Sequence, residues 1–376
     1  MNIISSNPVK RTLLVTALLV LALAPRAMGD TFYDQQNLVS DVPGLAVTTD
    51  PNLVNPWGIS NSATSPYWIS DQGTGVSTLY NGSGIPTALV VSIPTTAPPS
   101  GPTGTVFNNT GGGFLVGSTS ANFIFATLGG TIAARATGVT AVTEATIPGA
   151  VFTGLALANN GSGNYLYAAN FTNTGGIQVF NSSFASTTLS GSFTDPNLPA
   201  GYAPYNIQLI GGKLYVTYAE VGSSGAVAGL GLGFVDVFDT NGNFLERLVS
   251  GGALDAPWGI ALAPSGFGTF SNDLLVGNFG NGEINAFDPT TGALLGTLDS
   301  APGTPLVNSG LWALEFGNGN AGSSPDTLYF TAGIDNEAEG LFGAISVETP
   351  EPSSLILLAT VLLGLGGAVV KRKLFS

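Results

Sequence analysis

The chain has 376 residues, of which 44% are hydrophobic and 9% are charged, and its formal net charge is −14. Because it contains neither cysteine nor histidine, a disulfide, a thiolate nucleophile, a Cys/His zinc site and a Ser-His-Asp triad are all excluded. Residues 30–349 contain three basic and 22 acidic residues, so this body should repel nucleic acid.

Residues 1–29 have the composition of a secretory signal peptide. Lys10 and Arg11 precede the apolar run 13–24, and the sequence Ala27-Met28-Gly29 fits a small-x-small cleavage site. The run has 12 residues, whereas roughly 20 are needed to span a bilayer. The pattern therefore predicts export across the inner membrane and cleavage after Gly29. A retained N-terminal membrane helix is the alternative.

The body of the chain repeats one phrase at long intervals. The string "NPWGIS" at 55–60 returns as "APWGIA" at 256–261, and weaker copies begin at residues 101, 151, 203 and 309. Each copy is followed by short aromatic or alternating segments that are typical of strands, separated by turns rich in Gly, Asn, Asp and Pro. Four short strands in roughly 50 residues are typical of a propeller blade. Residues 30–348 are therefore predicted to form an all-β, six-bladed β-propeller.

Residues within the repeated phrase predict how the blades fit together. A glycine in four of the inner strands should permit close approach of neighbouring backbones: Gly58, Gly104, Gly154 and Gly259. The Trp and Pro of the phrase are predicted to fill the gap between adjacent blades. The alternative is that a Trp stacks on a ligand at the mouth of the central channel.

The ends of the propeller are predicted to pair with each other. The unit that begins near Ser309 shows only three strands, whereas the segment 32–41 precedes the first blade and has no blade of its own. This N-terminal segment should therefore supply the outer strand of the last blade. Such closure would hide strand edges that otherwise invite aggregation.

Polar residues recur directly after the second strands of the predicted blades: Asp71, Asn170, Glu220, Asn278 and Asp335. In a propeller these loops share one face and converge on the channel mouth. A ring of such oxygens could hold Ca²⁺, which takes six to eight oxygen ligands. The alternative is that these groups cap loops and line a wet channel. The loop 333–340 also contains Glu337 and Glu339, but without the spacing of an EF-hand.

The C-terminal residues 349–376 combine three features in a fixed order. Pro350, Glu351 and Pro352 hold an extended lead-in, a 16-residue apolar run follows, and the basic cluster Lys371, Arg372 and Lys373 ends it. The basic cluster should stay in the cytoplasm, which leaves the body on the other side of the membrane.

This tail resembles the PEP-CTERM sorting signal of Gram-negative bacteria. The resemblance implies a C-terminal transmembrane helix that anchors the protein transiently, processing by an exosortase-type membrane protease, and export tied to exopolysaccharide. A plain tail anchor without processing is the alternative.

Three longer segments of the body resemble a bacterial family of exported, NHL-like propeller proteins. They are "YWISDQGTGVSTLYNGSG", "AGYAPYNIQLIGGKLYVTYA" and "SGLWALEFGNGNAGSSPDTLYFTAGIDNEAEGLFG", and the resemblance covers roughly residues 32–347. That family has no established activity, so the resemblance implies a class of protein and no mechanism. Some six-bladed propellers that resemble this chain are calcium-dependent lactonases or related hydrolases.

Two hypotheses for the function follow. The first is a monomeric, non-enzymatic binding or interaction module at the cell surface or in the extracellular matrix, with extracellular polysaccharide or envelope proteins as partners. The second is a calcium-dependent, lactonase-like hydrolase that uses the oxygens at the channel mouth. The first is favoured, because no acid/base pair can be named from the sequence. The sequence does not decide whether the protein is an enzyme, and Ca²⁺ is the one cofactor that it suggests.

Overall fold

Short antiparallel strands make up nearly all the regular structure of the computed structural model, which describes residues 31–95 and 100–348. From Phe32 onward the described chain belongs to one compact unit. Within the described ranges, no helix is both long enough and apolar enough to cross a membrane. The predicted signal peptide, 1–29, and sorting tail, 349–376, lie outside the described residues.

The strands of the first three blades follow one another along the chain. Two strands precede the first blade: β1 (Tyr33–Ser40) and β2 (Thr48–Thr49). The first blade contains β3 (Pro56–Ser60), β4 (Tyr67–Asp71), β5 (Val76–Tyr80) and β6 (Val91–Ser92). The second begins with β7 (Pro102–Phe107), is interrupted by a small hairpin of β8 (Leu115–Val116) and β9 (Thr119–Ser120), and continues with β10 (Phe123–Thr127), β11 (Thr131–Arg135) and β12 (Val142–Thr146). The third contains β13 (Phe152–Asn159), β14 (Asn164–Asn170), β15 (Ile177–Asn181) and β16 (Ser186–Thr187).

The remaining three blades complete the ring. The fourth contains β17 (Tyr202–Ile210), β18 (Lys213–Glu220), β19 (Phe234–Phe238) and β20 (Phe244–Ser250). The fifth contains β21 (Pro257–Leu262), a 3₁₀ turn (Gly268–Phe270), β22 (Leu274–Asn278), β23 (Ile284–Phe287) and β24 (Leu294–Thr297). A hairpin of β25 (Asp299–Ala301) and β26 (Thr304–Pro305) follows. The sixth contains β27 (Leu311–Phe316), β28 (Leu328–Ala332), a helical turn (Ile334–Glu337) and β29 (Leu341–Val347).

The N-terminal strand closes the ring, as the sequence predicts. Strand β1 pairs antiparallel with β29, with a register that runs from Tyr33 opposite Val347 to Ser40 opposite Leu341. The Tyr33 hydroxyl also donates a hydrogen bond to the Phe267 carbonyl at 3.0 Å, which ties the closing strand to the fifth blade. The all-β, six-bladed propeller with an N-terminal closing strand is therefore confirmed.

The hydrophobic core lies between neighbouring blades. In β4 and β10 every residue is buried, because each second strand packs against the adjacent blades on both faces. One apolar cluster between the first and second blades contains Trp68 and Phe123, whose rings stack with centroids 4.2 Å apart. The outer strand β12 is largely exposed by comparison.

The inner-strand glycines allow the close approach that the sequence predicts. A side chain at Gly58 would collide with the backbone of Thr103 in the second blade, and one at Gly104 would collide with the backbone of Leu155 in the third. Each blade therefore contacts the next through bare backbone near the channel.

The tryptophans of the repeated phrase meet inside the channel. The ring of Trp57 stacks on Trp312 with centroids 3.5 Å apart, and both contact Trp258 edge-on at 6.2 and 5.8 Å. Trp57 and Trp312 belong to the adjacent first and sixth blades, and Trp258 and Trp312 to the adjacent fifth and sixth, so these rings pack between adjacent blades as the sequence predicts. The rings converge because the inner strands bring equivalent positions of all blades to the axis, where large apolar faces exclude water.

An aromatic cavity as the candidate functional site

A cavity of about 550 Å³ lies at one mouth of the channel. The stacked rings of Trp57 and Trp312, together with Tyr205, form part of its lining. Further lining side chains come from the residues that immediately follow the second strands of five blades: Gln72, Leu128, Phe171, Val221 and Phe279. The sixth blade contributes Glu337. The cavity is thus built from the loops of all six blades at one end of the propeller.

Aromatic rings form much of this lining. Phe279 stacks on Trp312 with centroids 4.4 Å apart and planes at 29°. Tyr205 contacts Phe171 at 4.5 Å and Phe279 at 6.3 Å. Phe279 is only partly buried, so part of its ring remains accessible from the cavity. Several aromatic faces and edges therefore surround one ligand-sized space.

The carboxylate of this cavity is carried by a turn with unusual backbone angles. Asp335, Asn336 and Glu337 have φ values of 51°, 54° and 70° in succession. Left-handed conformations cost roughly 1–2 kcal/mol for a residue with a side chain, and strain of this kind clusters at functional sites. Backbone hydrogen bonds hold the turn, among them Gly333 N to Gly310 O at 2.8 Å. The fold therefore maintains a costly conformation that places Glu337 at the cavity.

Asn55 organises the polar groups beneath the aromatic rings. Its amide nitrogen donates to Gln72 Oε1 at 2.8 Å and to Glu337 Oε2 at 2.9 Å. Its amide oxygen accepts a hydrogen bond from Trp312 Nε1 at 3.0 Å. Asn55 is itself buried and has a φ of 46°, and Ala256 has the same φ at the equivalent position of the fifth blade. The side-chain amide of Asn55 therefore holds Trp312, Gln72 and Glu337 in fixed positions relative to one another.

The electrostatics of the cavity depend on Glu337. Burial raises the pKa of Glu337, and the hydrogen bond from Asn55 opposes this shift. Burial also raises the pKa of Tyr205 well above its ordinary value, and the negative charge of Glu337 adds to that effect. Among the described residues of the lining there is one carboxylate and no lysine or arginine. The cavity therefore combines aromatic walls with a single negative charge.

The five predicted channel-mouth residues lie at the expected end of the propeller, but none of them lines this cavity. Asp71 is fully buried, accepts a hydrogen bond from Thr78 N at 2.9 Å, and has a pKa that burial raises well above the ordinary value. Asn170 accepts a hydrogen bond from Val151 N at 2.9 Å, and Asn278 accepts one from Asp255 N at 3.0 Å. The side chains of Asn170 and Asn278 therefore hold loop backbone, whereas the side chain of Asp71 bonds to strand β5 of its own blade.

The other two predicted residues are more accessible. Glu220 is partly buried at the end of β18, and Asp335 is exposed in the left-handed turn. In four blades the lining residue is the one that follows the predicted residue, because side chains of successive residues point to opposite sides. Within residues 31–95 and 100–348, no group of three or more acidic residues is close enough to hold a metal ion.

The sequence does not predict that Asn55 and Glu337 contact each other in the site. Asn55 and Glu337 are 282 positions apart, so no local pattern connects them. One signal does exist in the repeated phrase, since Asn55 in "NPWGIS" is replaced by Ala256 in "APWGIA". A polar residue in one copy of a structural repeat indicates a role that the other copy lacks.

A smaller cavity of about 170 Å³ lies on the other side of the cluster of Trp57, Trp258 and Trp312. Its lining includes Glu315 and Gln208. It is lined by residues near the far ends of the inner strands. Burial raises the pKa of Glu315 to about 7. This carboxyl group therefore lies in an environment that disfavours its charged form.

The fold and the cavity together define a six-bladed β-propeller with a ligand-sized aromatic site on one face. The chain belongs to the family that includes the protein named "Uncharacterized protein R648" from Acanthamoeba polyphaga mimivirus, to which it is 33% identical over 328 residues, or 82% of this chain and 78% of that protein. It is also 33% identical over 329 residues to "Uncharacterized protein L690" of the same virus, which covers 82% of this chain and 84% of that protein. No family model matches the chain.

Solved structures confirm the architecture. A protein of unknown function from Bacteroides thetaiotaomicron aligns with a TM-score of 0.52 and 10% identity over 85% of this chain and 77% of that one. The apo-form of the soluble aldose sugar dehydrogenase from Escherichia coli aligns with a TM-score of 0.51 and 12% identity over 84% of this chain and 100% of that one. These likenesses show the fold alone. Because both relatives are viral proteins, the resemblance to an exported bacterial family stays a prediction.

Proposed function

We propose that this propeller is a non-enzymatic binding module that captures a small ligand in the aromatic cavity. The cavity itself carries the proposal. Its volume of about 550 Å³ falls within the range of about 300–1,000 Å³ that is usual for small-molecule sites. Such sites combine an apolar and aromatic surface with a few fixed polar groups, and the rings around Glu337 and Gln72 match that description.

The chemistry of the lining favours binding over a calcium-dependent hydrolase. Ca²⁺ prefers a shell of six to eight oxygens, often with several carboxylates, whereas the described lining here has one carboxylate. The hydrogen bonds from Asn55 hold Gln72 and Glu337 in fixed positions before a ligand arrives. Fixed groups of this kind favour tight binding, because less conformational freedom is lost on association.

Filling the cavity tests this proposal. A panel of amines, quaternary ammonium compounds, sugars and neutral alcohols would be screened by calorimetry against the wild-type protein and Ala226→Trp, which places a large ring in the lining. We expect at least one compound to bind saturably and to lose affinity about ten-fold or more in the filled variant. Ala185→Trp, at an exposed turn outside the lining, is the matched control and should bind normally. Binding that survives in Ala226→Trp, or no binding to the wild type, would contradict the proposal.

We also propose that the protein is exported and released from the membrane after processing at its C-terminal tail. The support is the order of sequence features in 1–29 and 349–376. Extracellular polysaccharide or envelope proteins would then be its surroundings, and an exosortase-type protease would process it. Intact-mass measurement of protein recovered from outside the native cell tests this. A mass that retains Lys371, Arg372 and Lys373 would contradict processing.

A further inference from the structure

We infer that the ligand of the aromatic cavity is a small organic cation with a quaternary or alkylated ammonium group, held against the accessible face of Phe279 and paired with the Glu337 carboxylate. This inference rests on the proposed function and names the chemical class of its ligand. It follows from three properties of the lining: its rings, its charge and the state of its hydrogen-bonding groups.

The rings provide surfaces that attract a cation. An ammonium group within about 6 Å of an aromatic centroid is stabilised by roughly 0.5–1 kcal/mol at exposed sites and about 2 kcal/mol when desolvated. Trp312 is covered by Trp57 at 3.5 Å and by Phe279 at 4.4 Å, whereas Phe279 is only partly buried and lines the cavity. An alkylated ammonium group in the cavity can therefore lie over the face of Phe279 that Trp312 does not cover.

The charge of the cavity has the matching sign. Glu337 brings a carboxylate to the lining, and the whole chain has a formal net charge of −14. The basic residues of the body are occupied or distant. Arg247 is paired with Asp195 and Asp236, Arg135 lies over the ring of Trp68, and Lys213 begins β18 at the end opposite the cavity. The field at the mouth therefore attracts cations and repels anions.

The hydrogen-bonding groups favour a ligand that needs few partners. The amide of Gln72 and the carboxylate of Glu337 already accept hydrogen bonds from Asn55. The Thr153 hydroxyl donates to the Ala169 carbonyl at 3.4 Å. A neutral sugar must replace the many hydrogen bonds that it makes to water, and an unpaired polar group costs free energy. A quaternary ammonium group has no N–H to satisfy, so it needs no acceptor beyond the Glu337 carboxylate that balances its charge.

The affinity of a cation should depend on pH through Glu337. Burial raises the pKa of this carboxyl group, and only the ionised form attracts a cation. Affinity should therefore weaken as the pH falls through the raised pKa and reach a plateau above it. A neutral ligand of the same shape would show no such dependence.

A pair of ligands of the same shape separates the effect of charge from that of shape. Choline and 3,3-dimethyl-1-butanol differ in that a positive nitrogen replaces a neutral carbon. The full-length protein would be titrated with each by calorimetry, together with Glu337→Gln, Phe279→Leu and the control Asp335→Asn. Asp335 lies in the same turn but is exposed and outside the lining, so its charge should matter little.

We expect choline to bind at least ten-fold more tightly than the neutral alcohol, which corresponds to about 1.4 kcal/mol. Glu337→Gln and Phe279→Leu should each remove most of this preference, whereas Asp335→Asn should keep it. Equal binding of the two compounds would overturn the inference and leave the binding cavity intact. Tighter binding of a neutral sugar, or no choline binding, would overturn it as well. The cavity-filling variant Ala226→Trp judges the proposed function separately.

Discussion

Replacing Asn55 with alanine should destabilise the protein and loosen the cavity at the same time. The backbone can keep its conformation at a modest cost, since Ala256 has the same φ of 46° in the equivalent position of the fifth blade. The side chain is what the site needs, because its amide is bonded to Trp312, Gln72 and Glu337. Asn55→Ala removes all three hydrogen bonds in one step.

The magnitude can be worked out from the surroundings of these groups. The side chain of Trp312 is only 1% exposed, so its indole N–H would be buried without a partner, at a cost of about 1–3 kcal/mol. Alanine is also less suited than asparagine to a left-handed backbone, which adds about 1 kcal/mol. Glu337 is only partly buried, and its carboxylate can turn to solvent. Loss of the hydrogen bond from Asn55 to Glu337 therefore adds less. The free energy of unfolding should therefore fall by about 2–4 kcal/mol.

Urea denaturation followed by tryptophan fluorescence measures this loss. Asn336→Ala is the matched control, because it replaces an exposed asparagine with a φ of 54° for which no side-chain hydrogen bond is seen in the described structure. The control should lose only the backbone contribution of about 1 kcal/mol. If Asn55→Ala is no less stable than Asn336→Ala, the three hydrogen bonds do not organise the site and the reasoning fails.

Three further variants test other parts of the structure. Tyr33→Ala removes a buried ring that the closing strand packs against the fifth blade, and should lower the free energy of unfolding by about 3–5 kcal/mol in calorimetry; a loss below about 1 kcal/mol would contradict the role of β1 as the closing strand. Arg247→Met leaves the buried carboxylate of Asp236 unpaired and should cost about 3–5 kcal/mol, whereas Arg135→Met, which breaks no ion pair, should cost less than about 1 kcal/mol; equal losses would contradict the burial argument. Burial raises the pKa of Glu315 from 4.5 to about 7, so the folded state favours the protonated carboxyl group. The wild type should therefore match Glu315→Gln in stability at about pH 4 and become less stable than this variant by about 1–3 kcal/mol as the pH rises past 7. Parallel pH profiles of the two proteins would contradict this.

Much of the fold could be predicted because every blade has to satisfy the same packing requirements, which leave a repeated pattern in the sequence. The inner strand must approach its neighbour closely, so a glycine recurs at the equivalent position of the first three blades, at Gly58, Gly104 and Gly154. The missing outer strand of the last unit identified β1 as its partner, and the observed pairing with β29 agrees. The small hairpins β8–β9 and β25–β26 carry no repeated phrase, so nothing in the periodicity indicated them.

The site could be predicted only in position. The sequence identified the loops after the second strands, but it did not fix which side chain of each loop points to the channel. At Asp71 the side chain is buried and accepts a hydrogen bond within its own blade, while Gln72 lines the cavity. Asn278 and Phe279 show the same one-residue offset. The contact between Asn55 and Glu337 depends on closure of the whole ring, which no local pattern contains.

The most direct test of the account is to locate a heavy-atom analogue of the expected ligand in a crystal. Arsenocholine carries arsenic in place of the quaternary nitrogen, so anomalous diffraction reveals the position of its charged centre. The account predicts one strong arsenic peak within about 6 Å of the ring centroid of Phe279 and beside the Glu337 carboxylate. An arsenic peak elsewhere on the protein, or none in the cavity at a concentration that saturates binding in solution, would contradict it.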